Sequence, residues 1–458
     1  MRRWNVGIIG GGPGGLLTAY FLRKAADSFI EITIFEASDR LGGKIETCRF
    51  DSADAIYEAG AAELYDYSPV DEDPLRQLVA ELGLSIHPMG GSAVILGEKV
   101  VANLDDLRDL NGRPATDAMI EFDRCARDTM SPREFFDSDH LETPRQIHSG
   151  QWFDSITGNI ADANARRYLE VMIHSDLATE PAKTSVAYGL QNYLMNDGTY
   201  MRLYCVAGGN EQIPRELARR IQANVLLGHQ VTSVGRSKHG KLRVNSTQAG
   251  SSRDDEFDFV VVALPNNYLP NLRFEGQRLA EAMARHHAHY DYPAHYLRVT
   301  ILFREPFWRG VLTESYFMLD QFDGCCLYDE SSREPESPHG VLGWLLGGAA
   351  ALEKSVMSDA ELISLALDSL PEFLRHGREL FLEAKVHRWV WAVNGLPGGV
   401  PQLPLDKRHQ PEPIDHPDLF VVGDYLFDST LNGVLDSADY VANWLTALTV
   451  EHSDSWKT

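Results

Sequence analysis

The chain has 458 residues, 44% of them apolar and 24% charged, with 66 acidic against 42 basic side chains and a net charge of −24. Nucleic acid or an anionic membrane as the main partner is excluded, because both need a concentrated positive face; a cationic small molecule is admitted. No apolar stretch approaches the ~18 residues of a membrane span, and Arg2–Arg3 before a short glycine-broken run lacks the pattern of a signal peptide.

Five cysteines, Cys48, Cys125, Cys205, Cys325 and Cys326, are odd in number and scattered. They form neither a disulfide framework nor a zinc motif, which points to a reducing, cytoplasmic compartment and to no bound metal.

In chain order, the stretch from Asn5 to Gly10 (NVGIIG) reads as a buried parallel strand. LLTAYFLRKAA, from Leu16, has helical periodicity. Gly10, Gly12 and Gly15 fall between them in G-x-G-x-x-G spacing, with Gly14 inside the turn and Pro13 at the helix start. Gly10 permits the tight turn, Gly12 lets a pyrophosphate approach the backbone, and Gly15 lets helix and strand pack closely. The helix N-terminus then offers free N–H groups to the phosphates. The next strand, IEITIFE, ends in Glu36, about 20 residues beyond the glycines, where a carboxylate meets a ribose hydroxyl. Ala37 follows. ASDRLGGKIET then supplies a second glycine turn with cations: Arg40, Gly42, Gly43 and Lys44.

These blocks resemble the FAD-binding flavin amine oxidase superfamily, whose members carry R-x-G-G-R at this point. Lys44 replaces the last Arg, keeping the charge and losing the bidentate fork. The resemblance implies FAD as cofactor and assigns further residues to it. YEAGAAELY places Gly60, Ala61 and Ala62 beside the flavin ring. In the segment Val206 to Val234, a glycine turn, an amphipathic helix and two short strands, Val231 meets the adenine region. FDFVVVALPNNYL is a strand returning to the cofactor domain. Near the C-terminus, Gly423 and Asp424 meet the ribityl–pyrophosphate region. Asn432, Gly433 and Val434 lie at the start of a helix, read as beginning at about Leu435, whose N–H groups stabilise charge on the reduced flavin.

The resemblance also marks departures. In HYLRVTILFREPFW the position of the amine oxidases' lysine holds Arg298, which cannot act as a neutral amine base. Arg298, with Trp389 one of two candidate catalytic residues, either holds a substrate carboxylate or pairs with an acid. The turn VNGLPGGVP has Val400 and Pro401 and neither an aromatic nor a cysteine, so the aromatic cage is missing and FAD is expected to bind non-covalently. Trp389 matches a recurrent tryptophan of the family; Trp389 and Trp391 either line the pocket or pack in a core. His174, His295 and His387 read as structural or solvated rather than as acid–base groups.

The expected fold is α/β: a Rossmann-like FAD-binding domain built from 1–75, 205–275 and 400–458, interleaved with an α+β substrate domain (76–204 and 276–399). The latter combines a mixed sheet, including HYLRVTILF and GVLGWLLG, with a helical cap near 105–200. The expected function is hydride transfer from a small amine or amino acid to flavin N5, with reoxidation by oxygen or another acceptor. A desaturase or double-bond isomerase is the alternative, because the lysine and cage are not found. The partner is a small molecule, and a homodimer is left open.

Overall fold

The computed structural model describes residues 3–26, 29–91, 93–137, 152–396, 403–427 and 429–454. A five-stranded parallel sheet runs in the order Asn224–Leu226, Ile30–Phe35, Trp4–Ile9, Phe259–Val262, Leu419–Val421. Phe259–Val262 (FVVV) is a continuous, fully buried apolar run because both faces of the sheet are covered there. On one face the helices Pro13–Ala26 and Leu431–Asp454 pack together over Val6, Ile8, Ile32 and Ile34. On the other, Ile9, Phe35, Val260 and Val262 meet Val234, Leu242 and Val244 of a four-stranded sheet (Ser251–Phe257, Leu242–Gln248, Gln230–Arg236, Arg273–Phe274). The chain thus returns to the parallel sheet in three separate stretches.

A second sheet of seven strands runs Phe381–Asn394, Pro293–Phe303, Gly340–Gly347, Cys325–Asp329, Tyr316–Leu319, Val94–Leu96, Lys99–Val101. It is mixed, with Tyr316–Leu319 and Val94–Leu96 parallel and the other pairs antiparallel. Strand alternation gives it two different faces. Leu297, Val299, Ile301, Leu327 and Trp344 form an apolar layer under the helix Asp359–Asp368. Met318, Cys326 and Tyr328 turn to the opposite layer, shared with the helices Arg113–Thr129, Ala163–Leu177 and Val186–Leu194.

One boundary differs from the sequence reading. The C-terminal helix starts at Leu431, four residues before Leu435. Thr430 is the reason: its Oγ1 accepts the N–H of Gly433, an N-terminal cap that begins the helix early. All five cysteines are free. Among the described residues no helix is long and apolar enough to cross a membrane, and no group of His, Cys, Asp or Glu side chains is arranged to hold a metal ion.

Candidate cofactor and substrate site

A cavity of about 580 Å³ opens at the carboxyl ends of the parallel strands, where open α/β sheets bind ligands. The first glycine turn contributes Gly10, Gly12 and Gly14 to its wall. Gly10 has φ +109°, and a Cβ there would meet the Ala263 carbonyl oxygen at 2.4 Å. Gly15 faces away from the cavity. A Cβ on it would lie 2.0 Å from the Gly10 oxygen, so its bareness serves helix–strand packing.

The second glycine turn closes on the first. The N–H of Gly42 donates to the Gly11 carbonyl, and Cβ on Gly43 would lie 3.0 Å from the Gly12 Cα. Gly43 lines the cavity, whereas Gly42 forms the turn behind it with φ +113°. Arg40 braces this turn from the cavity edge: its Nη2 donates to the Gly43 carbonyl (2.7 Å) and to Glu46 (2.9 Å). Glu36 and Ala37 line the wall beside the first turn. One Glu36 oxygen accepts the Gly11 N–H at 2.8 Å and the other accepts from Ser38, so the carboxylate is fixed before any ligand arrives.

Val231, Trp389, Gly423, Asp424 and Val434 complete the predicted lining. Lys44 Nζ donates to Asp424 Oδ2 at 2.5 Å and to the Ala392 carbonyl at 2.8 Å, which joins two cofactor blocks 380 positions apart. The Trp389 indole donates to the Ala59 carbonyl at 2.6 Å and its ring lies against Gly60. Trp389 is therefore a wall residue, while Trp391, at φ +61°, is 55% exposed.

Other expected contributors sit behind this wall. Gly60 packs on the Lys44 carbonyl, where a Cβ would stand at 1.9 Å. The carbonyls of Ala61 and Ala62 accept from Asn210, whose own N–H donates to buried Glu58. Asn432 is turned away: its amide donates to Asp73 at 3.4 Å. The Gly433 N–H is taken by Thr430, which leaves Val434 as the part of that helix start that reaches the cavity.

Arg298 takes the second of its two readings. It is 1% exposed, in contact with Glu330, and lies 5.1 Å over the Tyr328 ring. Glu330 also accepts from Arg333 at 2.8 Å, and Arg333 reaches Glu58 at 3.9 Å and donates to the Ala62 carbonyl. This closed charge cluster buttresses the Glu58–Ala62 segment.

The histidines have structural partners. His174 pairs with Glu180; burial opposes its charge, but the hydrogen bond and charge of Glu180 prevail and raise its pKa. His174 in turn holds Glu180 down to about 2, against burial. His387 contacts the Tyr57 hydroxyl, and burial pushes its pKa down. His295 accepts the Trp391 N–H and is likewise lowered by burial. Val400 and Pro401 lie outside the described residues.

The wall also holds residues that motif reading missed, including His229, Asn267, Tyr268 and Arg388. ALPNN directly after a buried strand is a turn signal at a strand's carboxyl end, and it could have pointed to Asn267 and Tyr268.

Residues 13–445 match the family described as flavin containing amine oxidoreductase. The flavin-dependent L-tryptophan oxidase RebO of Lentzea aerocolonigenes is 24% identical over 336 residues, 66% of each chain. Probable polyamine oxidase 4 of Arabidopsis thaliana is 24% identical over 57% of this chain and 50% of its own length. The matched region thus spans between half and just under two thirds of these relatives. Cyclohexylamine oxidase from Brevibacterium oxydans shares the fold at TM-score 0.73 and 18% identity, covering 98% of this chain and 99% of the other.

Proposed function

The chain belongs to the flavin-containing amine oxidoreductases, and from that premise we propose that it oxidises a small amine at a site beside the cavity wall formed by Lys44, Trp389 and Asp424. It is a flavin-dependent oxidoreductase whose cofactor is FAD, held without a covalent link. We assign FAD to the cavity described above, in a domain made of 1–75, 205–275 and 400–458.

The fit rests on residues of this chain. Gly12 and Gly43 leave a bare cradle in which a Cβ on Gly12 would find only the Gly43 Cα, at 3.7 Å. The start of helix Pro13–Ala26 aims its N–H groups there and suits a diphosphate. Glu36, already oriented by Gly11 and Ser38, retains lone pairs for ribose hydroxyls. Lys44 and Asp424 offer a cation and an acceptor on the same cavity wall. When bound, the flavin supplies the acceptor for two electrons from a C–H bond beside the amine nitrogen.

This chain's residues then bind, orient and exclude water. Trp389 is fixed by its hydrogen bond to Ala59 and gives the reacting end a flat apolar wall. Arg298, locked to Glu330, is not available as a proton acceptor. The observation that carries the reading is the meeting of both glycine turns, Glu36 and Asp424 around one cavity.

The test is a visible spectrum of the purified protein, followed by anaerobic mixing with primary amines and then with aerated buffer. Bleaching by an amine and recovery in oxygen is expected. Flavin that no amine reduces would overturn the reading, and the desaturase or isomerase alternative would take its place.

A further inference from the structure

Resting on the assignment of FAD to this cavity, we propose that Tyr268 is an aromatic lid. Its ring closes over the purine base of the cofactor and makes the site select a dinucleotide over a flavin mononucleotide.

Strand order fixes which half of the cofactor lies where. The glycine turn that suits the diphosphate follows Trp4–Ile9, the central strand of the parallel sheet. Glu36 follows the neighbouring strand on one side, Ile30–Phe35. Asp424, paired with Lys44, follows Leu419–Val421, the edge strand on the other side. A dinucleotide laid across these strand ends has its nucleoside half, ribose and purine, on the Glu36 side. His229, Gln230 and Val231 wall that side, joined to it by the His229 N–H, which donates to the Glu36 carbonyl at 2.8 Å.

Tyr268 belongs to the same end. It lies in the 3-10 turn Asn266–Asn271, and in such a turn residues three apart share a face. Pro265, Tyr268 and Asn271 have that spacing, and all three line the cavity. The turn runs directly into the strand Arg273–Phe274, where Arg273 pairs in parallel with Ser233. Two residues back along each chain stand Asn271 and Val231, both on the cavity wall. The lining face of the turn is thereby set beside the nucleoside side.

What Tyr268 lacks identifies its role. The residue lines a cavity, yet it is 54% exposed. Among the described residues no other aromatic ring and no side-chain hydrogen bond engages it. Its backbone, by contrast, is fixed, because its N–H donates to the Pro265 carbonyl at 2.9 Å. An anchored tyrosine with an uncommitted ring at a cavity mouth is placed to take its partner from the ligand. The surface it faces is apolar: Phe35, Val231, Leu264 and Leu272 belong to one hydrophobic layer and line the cavity. A flat heteroaromatic base gains from both that layer and the tyrosine ring, whereas a sugar or phosphate gains from neither. A flavin mononucleotide, which ends at its phosphate, extends from the glycine turns toward Asp424 and leaves Tyr268 without a partner.

The experiment strips flavin from the full chain and titrates it with FAD, FMN and ADP, followed by flavin fluorescence and, for ADP, by calorimetry. Tyr268→Ala should weaken FAD and ADP by roughly tenfold to a hundredfold, the scale of one base stacked on one aromatic ring, and leave FMN affinity unchanged. Tyr268→Phe and Tyr268→Trp should bind all three as the unaltered protein does. Etheno-ADP, whose fluorescence is quenched by stacking, should be quenched by the unaltered protein and not by Tyr268→Ala. The melting temperature of each apoprotein reports its fold; if Tyr268→Ala melts early, Tyr268→Leu, which keeps apolar bulk without a ring, carries the test. FAD affinity unchanged in the variant, or FAD and FMN weakened alike, would overturn the inference and leave FAD in the cavity. If the unaltered chain binds neither FAD nor ADP, the cofactor assignment falls with it.

Discussion

Lys44 and Asp424, 380 positions apart in the chain, meet at 2.5 Å on the wall of the cofactor cavity. One follows the second glycine turn and the other follows the last strand of the parallel sheet, so their contact ties the two ends of the cofactor site. Removing one partner leaves the other charge part-buried and unmatched beside the ligand. Lys44→Met is therefore expected to weaken FAD binding by roughly tenfold to a hundredfold. Titrating the apoprotein with FAD and following flavin fluorescence measures this. Unchanged affinity would remove Lys44 from the cofactor site.

The two glycine positions most alike in sequence should fail differently. Gly15→Ala drives a Cβ to 2.0 Å from the Gly10 oxygen, a backbone atom that cannot step aside. Such overpacking costs about 1–3 kcal/mol or more, seen as a lowered melting temperature with or without FAD. Gly12→Ala meets only an ordinary contact at 3.7 Å, so the apoprotein should melt normally. Its methyl fills the cradle instead, and FAD affinity should drop. Equal losses of stability in both variants would contradict this division.

Much of this site was legible because local chemistry announces it. Apolar runs mark Trp4–Ile9, Ile30–Phe35 and Phe259–Val262, and the glycines mark the turns between them. What stayed hidden was long-range or conformational. Glu330 lies 32 residues from Arg298 and meets it only through the sheet, so sequence left both roles of Arg298 open. Trp389 and Trp391 share a face in any regular strand, but positive φ at Trp391 breaks the alternation and sends it to solvent. Thr430 began the last helix early through a cap that apolar periodicity does not reveal.

Acid should destabilise the fold through two buried histidines. Burial, reinforced by neighbouring histidines, pushes His286 down to about 3. Burial and Arg408 push His409 to about 4, although its hydrogen bond to the Val421 carbonyl opposes this. Unfolded, both titrate near ~6.5. Below that pH the unfolded chain takes up protons that the folded chain refuses, so stability is full above ~6.5 and falls as pH drops toward the folded values. The slope approaches about 2–3 kcal/mol per pH unit for the pair. His174 is silent between about pH 6 and 5, where it is protonated in both states, and Glu180 loses its contribution only at lower pH. Melting temperatures across that window test the slope, and His286→Gln should roughly halve it. A slope left unchanged in His286→Gln would refute the His286 shift.

The Arg298–Glu330 contact makes the most direct test of what Arg298 does. Four charges are enclosed together, Arg298 and Arg333 against Glu330 and Glu58, and they sum to zero. Arg298→Met leaves one carboxylate in excess and should cost about 3–5 kcal/mol of stability. Glu330→Gln leaves one guanidinium in excess and should cost a similar amount. The double variant returns the cluster to neutrality with Arg333 still facing Glu58, so its loss should fall short of the two single losses added together by about 2 kcal/mol or more. Urea denaturation of the four proteins closes this cycle. Additive losses would mean that the contact contributes no coupling. A stable Arg298→Met variant with a raised KM only for carboxylate-bearing substrates would return Arg298 to the substrate side of the site.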